Sequence, residues 1–151
     1  MSRFLFDSRN PRYKTPFGAV STGEQVNIIF PVRADVAASQ VRLYLRAEQG
    51  ESKLVHYLTL SGEENGYLCY QISFTLPEAG VYFYRFEVQT AQGVIFCGAT
   101  EDHKTTSGNF LPEWQLTVYD AAYEVPQWVG DGVMYQIFPD RFAKADRKSV
   151  V

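Results

Sequence analysis

The chain has 151 residues, which suits one domain with a modest remainder, and a domain of that size needs no disulfide or metal to fold. Its 46% hydrophobic and 15% aromatic content exclude a disordered chain. A net charge of −3 without a basic run offers no footprint for nucleic acid or an anionic membrane, and no apolar stretch reaches the length of a membrane span.

The start, MSRFLFDSRNPR, is no secretory signal, because its apolar core is only residues 4–6 and Asp7 interrupts it. A cytoplasmic protein is expected. From residue 25 onward the hydrophobic period is two. QVNIIFPV places Val26, Ile28, Phe30 and Val32 on one face, and Pro31, which cannot donate to a ladder, marks this strand as an edge or as bulged. QVRLYLRAE sends Val41, Leu43 and Leu45 inward, with Arg42, Arg46 and Glu48 outward. KLVHYLTL aligns Leu54, Leu58 and Leu60. After Asn65-Gly66, a hairpin turn that needs positive φ, YLCYQISFTL alternates Leu68, Tyr70, Ile72, Phe74 and Leu76 against Cys69, Gln71, Ser73 and Thr75.

VYFYRFEV, VIFCG and QLTVY continue in the same style, with turns at 77–80 and 91–93. Such alternation means strands with one face in a core. Seven or eight of them, with turns at short intervals, read as an all-β, antiparallel sandwich of the immunoglobulin type over residues 1–119. Cys69 and Cys97 sit inside apolar strands and are expected as two buried thiols rather than a disulfide.

After Tyr119 the style changes. Residues 120–130 show no alternation and contain Pro126, so they read as a linker. Beyond it Val133, Met134, Tyr135, Ile137 and Phe138 form a nearly continuous apolar run, suited to a strand covered on both faces in a parallel α/β sheet. Residues 131–151 therefore belong to a different class of domain.

At this point the letters carry a resemblance. PEWQLTVYDAAYEVPQWVGDGVMYQIFPDRF resembles the junction between the N-terminal β-sandwich and the catalytic barrel in glycoside hydrolase family 13, the α-amylase family, and most of all its neopullulanase, cyclomaltodextrinase and maltogenic amylase group. The string runs through Pro126, Trp128 and then Tyr135 to Phe142, and PEAGVYFYRFEV upstream looks like the hairpin of that family's sandwich.

The resemblance implies a whole N-terminal module, its linker, and the first strand of a (β/α)₈ barrel cut off at residue 151. It implies a parent hydrolase that acts on α-glucans with retention. It implies no catalytic residue here, because the family's three catalytic carboxylates come from later barrel strands. Its expected partners are an α-glucan or maltooligosaccharide held weakly, the chain's own barrel, and a homodimer in one of the roles such modules play. No cofactor is expected. The alternatives are a freestanding glucan- or glycogen-binding module and a structural sandwich acting through protein contacts.

Asp140 and Arg141 shape the loop after the barrel strand. Calcium sites want clustered oxygens, but Lys144 puts an ammonium where family members carry a ligand, leaving Asp146 alone for a degenerate calcium site. Sugar rings stack on flat aromatic faces, so Tyr57, Tyr82, Tyr84, Trp114 and Tyr135 are candidate carbohydrate-binding residues, with ordinary core packing as the competing reading of each. Pro126 and Trp128 are expected between sandwich and barrel. His56 and His103 lack partners at metal-ligand spacing.

Overall fold

The computed structural model describes residues 1–133 and 135–136. Eleven strands run in chain order: β1 Lys14–Thr15, β2 Val20–Ser21, β3 Val26–Arg33, β4 Gln40–Ala47, β5 Lys53–Tyr57, β6 Thr59–Glu64, β7 Tyr67–Phe74, β8 Gly80–Thr90, β9 Gly93–Ala99, β10 Thr105–Ser107 and β11 Trp114–Tyr119. Among the described residues there is no α-helix, only two 3₁₀ turns at Ala34–Val36 and Gln127–Val129.

The strands form two sheets. The smaller has the order β1-β3-β7-β6 and is antiparallel throughout. The larger is organised on β8, the longest strand. One edge of β8 pairs with β4 over its length, and β4 in turn carries β5. The other edge of β8 is shared, its first half pairing with β11 and its second with β9. β10 extends β9, and β2 joins β11 in the sandwich's one parallel pair.

The inner faces meet along the expected alternation. Val26, Ile28, Phe30 and Val32 of β3 face Val41, Leu43 and Leu45 of β4 and Tyr84, Phe86 and Val88 of β8 across one core. Phe30 stacks on Phe86 with centroids 4.2 Å apart and so joins the two sheets. The N-terminal segment closes the core, with Phe6 making edge contacts to Phe86 and Trp114. Burying a phenylalanine fully contributes about 1.5–3 kcal/mol, so residues 4–6 are an integral part of the sandwich.

Three details differ from the sequence reading. KLVHYLTL is two strands: only Leu58 is buried, and it is the corner where the chain leaves β5 in one sheet for β6 in the other. Leu54 and Leu60 are exposed because each lies on an edge strand. β3 is neither an edge nor bulged, since Pro31 pairs in register with Cys69. Its carbonyl accepts from the Leu5 amide on the opposite side, so the missing N–H falls toward the N-terminal segment, where no ladder requires it. Cys69 faces outward and is half-buried, whereas Cys97 is in the core; both are free thiols.

The Asn65-Gly66 hairpin has φ of 51° and 81°, the positive pair that a two-residue turn of this kind requires. Residues 120–133, 135 and 136 are exposed. Val133, Tyr135 and Gln136 lie in no strand, and Met134, Ile137 and Phe138, with Asp140, Arg141, Lys144 and Asp146, lie outside the described residues.

Candidate functional site: the outer face of the larger sheet

Strand parity decides which aromatics reach solvent, and it overturns three of the five sugar-stacking candidates. Tyr82, Tyr84 and Trp114 face inward. Trp114 is 2% exposed, lies parallel to Tyr84 with centroids 5.7 Å apart, and donates its indole N–H to the His103 carbonyl. The Tyr82 hydroxyl donates to the Glu78 carbonyl. Rings whose faces already carry protein cannot carry a sugar. Tyr57, 59% exposed, and Tyr135 do have free surface. Trp128, 66% exposed, follows Pro126 in the second 3₁₀ turn.

The opposite parity builds a face that the sequence reading missed. β5, β4 and β8 align in register across it. Tyr57 lies opposite Arg42, which lies opposite Glu87; Val55, Tyr44 and Arg85 form the next row; Lys53, Arg46 and Phe83 the third. β9 adds Phe96 beside Glu87. Rows this close interact side chain to side chain. Arg46 lies over the Phe83 ring, 4.6 Å from its centroid, and Arg85 over Tyr44 at 4.9 Å.

Carboxylates hold the guanidiniums in place. Arg46 Nε donates to Glu113 Oε1 at 3.0 Å. Buried Glu87 receives Arg42 and Arg85, each at 3.4 Å. Four cations (Arg42, Arg46, Lys53, Arg85) thus share the face with two carboxylates, on a chain whose net charge is −3. A charge network of this kind fixes long side chains in one geometry, which isolated surface pairs do not.

Two hollows flank the ridge made by Arg85 and Glu113. One, of about 170 Å³, is floored by Tyr44, Leu45 and Arg46. The other, of about 450 Å³, lies between β9 and the loop 108–113 that leads into β11. Gly98 lets this loop seat on β9, because a Cβ there would meet Leu111 Cβ and the Pro112 carbonyl oxygen at 2.5 Å. The parity of β4 could have revealed Tyr44, which shares a face with Arg42 and Arg46. The parity of β8 could likewise have revealed Phe83, which shares its face with Arg85, Glu87 and Gln89 while Tyr82 and Tyr84 share theirs with Phe86 and Val88.

Among the described residues no group of three or more histidines, cysteines or acids gathers as a metal site. Both carboxylates of the face are engaged by arginines. No helix among the described residues is long and apolar enough to cross a membrane.

No protein-family model matches the chain. It is similar to amylopullulanases: 23% identical over 145 residues to that of Thermoanaerobacter thermohydrosulfuricus, and 25% over 147 residues to that of Thermoanaerobacterium saccharolyticum. Each match takes in 93% of this chain but only 10% and 11% of the relative, so the chain spans about a tenth of the length of the curated proteins it matches. Its fold is similar to part of a cyclomaltodextrinase, with a TM-score of 0.58 at 15% identity, over 95% of this chain and 24% of that one.

Proposed function

We propose that this chain is the non-catalytic β-sandwich module of a larger α-amylase-family enzyme that hydrolyses α-glucans with retention. Residues 1–119 are the module, 120–130 the linker, and 131–151 the opening of the catalytic barrel. The observation that carries this reading is coverage: nearly the whole chain matches, and it matches about a tenth of much longer relatives called amylopullulanases. A segment that recurs as a small part of larger chains is a module.

In this reading the module positions substrate for the barrel through the outer face of its larger sheet. Exposed Tyr123 and Trp128 then meet the catalytic domain, which supplies the apolar cover they lack. Forming a dimer interface is the second role open to the same face, since aromatics with arginine are the residues that anchor protein contacts. Glucan affinity is weak, with a Kd of about 0.1–1 mM or poorer, because a few stacked aromatics contribute only about 1 kcal/mol each beyond burial.

Two tests apply. The coding sequence past residue 151 should run on for roughly 250 codons or more with the remaining barrel strands; a stop codon there would favour a freestanding glucan-binding module. Retaining hydrolysis needs two carboxyl groups about 5 Å apart, so the purified chain should release no reducing sugar from starch, pullulan or cyclodextrin. Release of sugar would overturn the assignment of catalysis to a separate domain.

A further inference from the structure

Phe110 is an outlier in two respects. Its side chain is fully exposed, and its backbone is left-handed with φ of 57°. A bulky residue rarely adopts that conformation, which costs on the order of 1 kcal/mol and persists only where the surroundings impose it. The preceding residue is Asn109, a type that tolerates positive φ well, yet the strained position falls to the phenylalanine.

The loop is held at both ends. The Gly108 amide donates to the Phe96 carbonyl, and the Ala99 amide to the Pro112 carbonyl. Gly98 lets the loop lie directly on β9. The fold thus presents a strained aromatic on a pinned loop at the mouth of the larger hollow, and Phe110 contributes nothing to the core in return.

From this the geometry points to the hollow lined by Phe110, Phe96, Asn109, Arg85 and Glu113 as the subsite that holds an α-glucan chain, a step that rests on the function proposed above. Its volume, about 450 Å³, lies within the range of small-molecule sites. Phenylalanine rings offer flat apolar faces to the C–H face of a sugar. Asn109, Arg85 and Glu113 offer both donors and acceptors for hydroxyl groups. One cation and one anion line the hollow, so its own charge balances and selects for a neutral polyhydroxyl ligand over an ion.

The test is a calorimetric and ¹H–¹⁵N NMR titration of the 151-residue chain with maltoheptaose, for the wild type, Phe110→Gly, Asn109→Ala and Tyr57→Ala. Phe110→Gly should weaken binding about fivefold or more, while its thermal midpoint holds or rises because the strain is gone. Asn109→Ala should weaken binding with the fold unchanged. Tyr57→Ala, at the far edge of the face, should lose less affinity than Phe110→Gly. Wild-type affinity in both loop variants, with loss in Tyr57→Ala, would overturn this subsite and leave the glucan reading standing. Sugar affinity kept in Phe110→Gly, with lost association to a separately produced barrel domain, would make Phe110 a docking anchor and overturn it too. A wild type that gives no heat and no shift at about 10 mM sugar, well above the expected Kd, would overturn the glucan reading together with the subsite.

Discussion

Arg85 lies across the ring of Tyr44, its partner in the β4–β8 register, and the same guanidinium reaches the buried carboxylate of Glu87. Glu87 also receives Arg42, so one buried acid organises two arginines and, through them, the aromatic face above.

Glu87→Ala should therefore cost about 2–3 kcal/mol. Removing one partner of a buried ion pair leaves uncompensated charge, and the partial exposure of both arginines brings the loss below that of a fully buried pair. Urea unfolding measures it. A loss under about 0.5 kcal/mol, the level of an exposed pair, would show that the carboxylate does not organise the face.

Gly98→Ala should cost about 1–3 kcal/mol through overpacking, because its Cβ would meet Leu111 and Pro112 at 2.5 Å. The effect should be local first. The Ala99 amide, which donates to the Pro112 carbonyl, should lose protection from hydrogen exchange before the rest of β9 does.

The two tryptophans should behave oppositely. Trp114 is 2% exposed and Trp128 66%. Acrylamide should quench the emission of Trp128 and spare that of Trp114, so a Trp128→Phe protein should emit at short wavelength and resist quenching. Trp114→Ala should cost about 3–5 kcal/mol, from the cavity left in the core together with the lost bond to His103.

Burial pushes the Cys97 thiol up to about 12. Between the ordinary thiol value of 9.0 and about 12, the unfolded chain releases a proton that the folded chain keeps. Stability is therefore full below pH 9 and falls as pH rises through that window, by at most about 1.4 kcal/mol per pH unit. Ellman's reagent at pH 8 should leave Cys97 unmodified in the folded protein and label it in urea. Labelling of the folded protein at the urea rate would refute its burial.

Much of the architecture was legible in the letters because β-structure writes a period of two wherever one face is dry. Residues 26–32, 41–45 and 68–76 placed their inward side chains correctly on that ground alone, and Asn65-Gly66 announced its turn through the φ it needs. The alternation failed where both parities are apolar or where the chain changes sheet. At the start of β8 Tyr82 and Tyr84 alternate with Val81 and Phe83, and the choice of face rests on Arg85, Glu87 and Gln89 further along, which share the parity of Phe83. At Leu58 a single apolar run bends from one sheet into the next, a corner that only the packing of two layers defines.

The sequence by itself determined the sandwich, its turns and the resemblance to an enzyme junction, since those rest on local period, backbone preference and a contiguous string. Tertiary structure alone decided which outward side chains meet one another. Pairing across β5, β4, β8 and β9 set Arg46 over Phe83 and Arg85 over Tyr44 from positions about forty residues apart. The close seat of loop 108–113 on Gly98 left Phe110 strained and open to solvent. A face assembled from distant strands leaves no contiguous mark in a chain, because the distances that define it exist only after the sheets have formed.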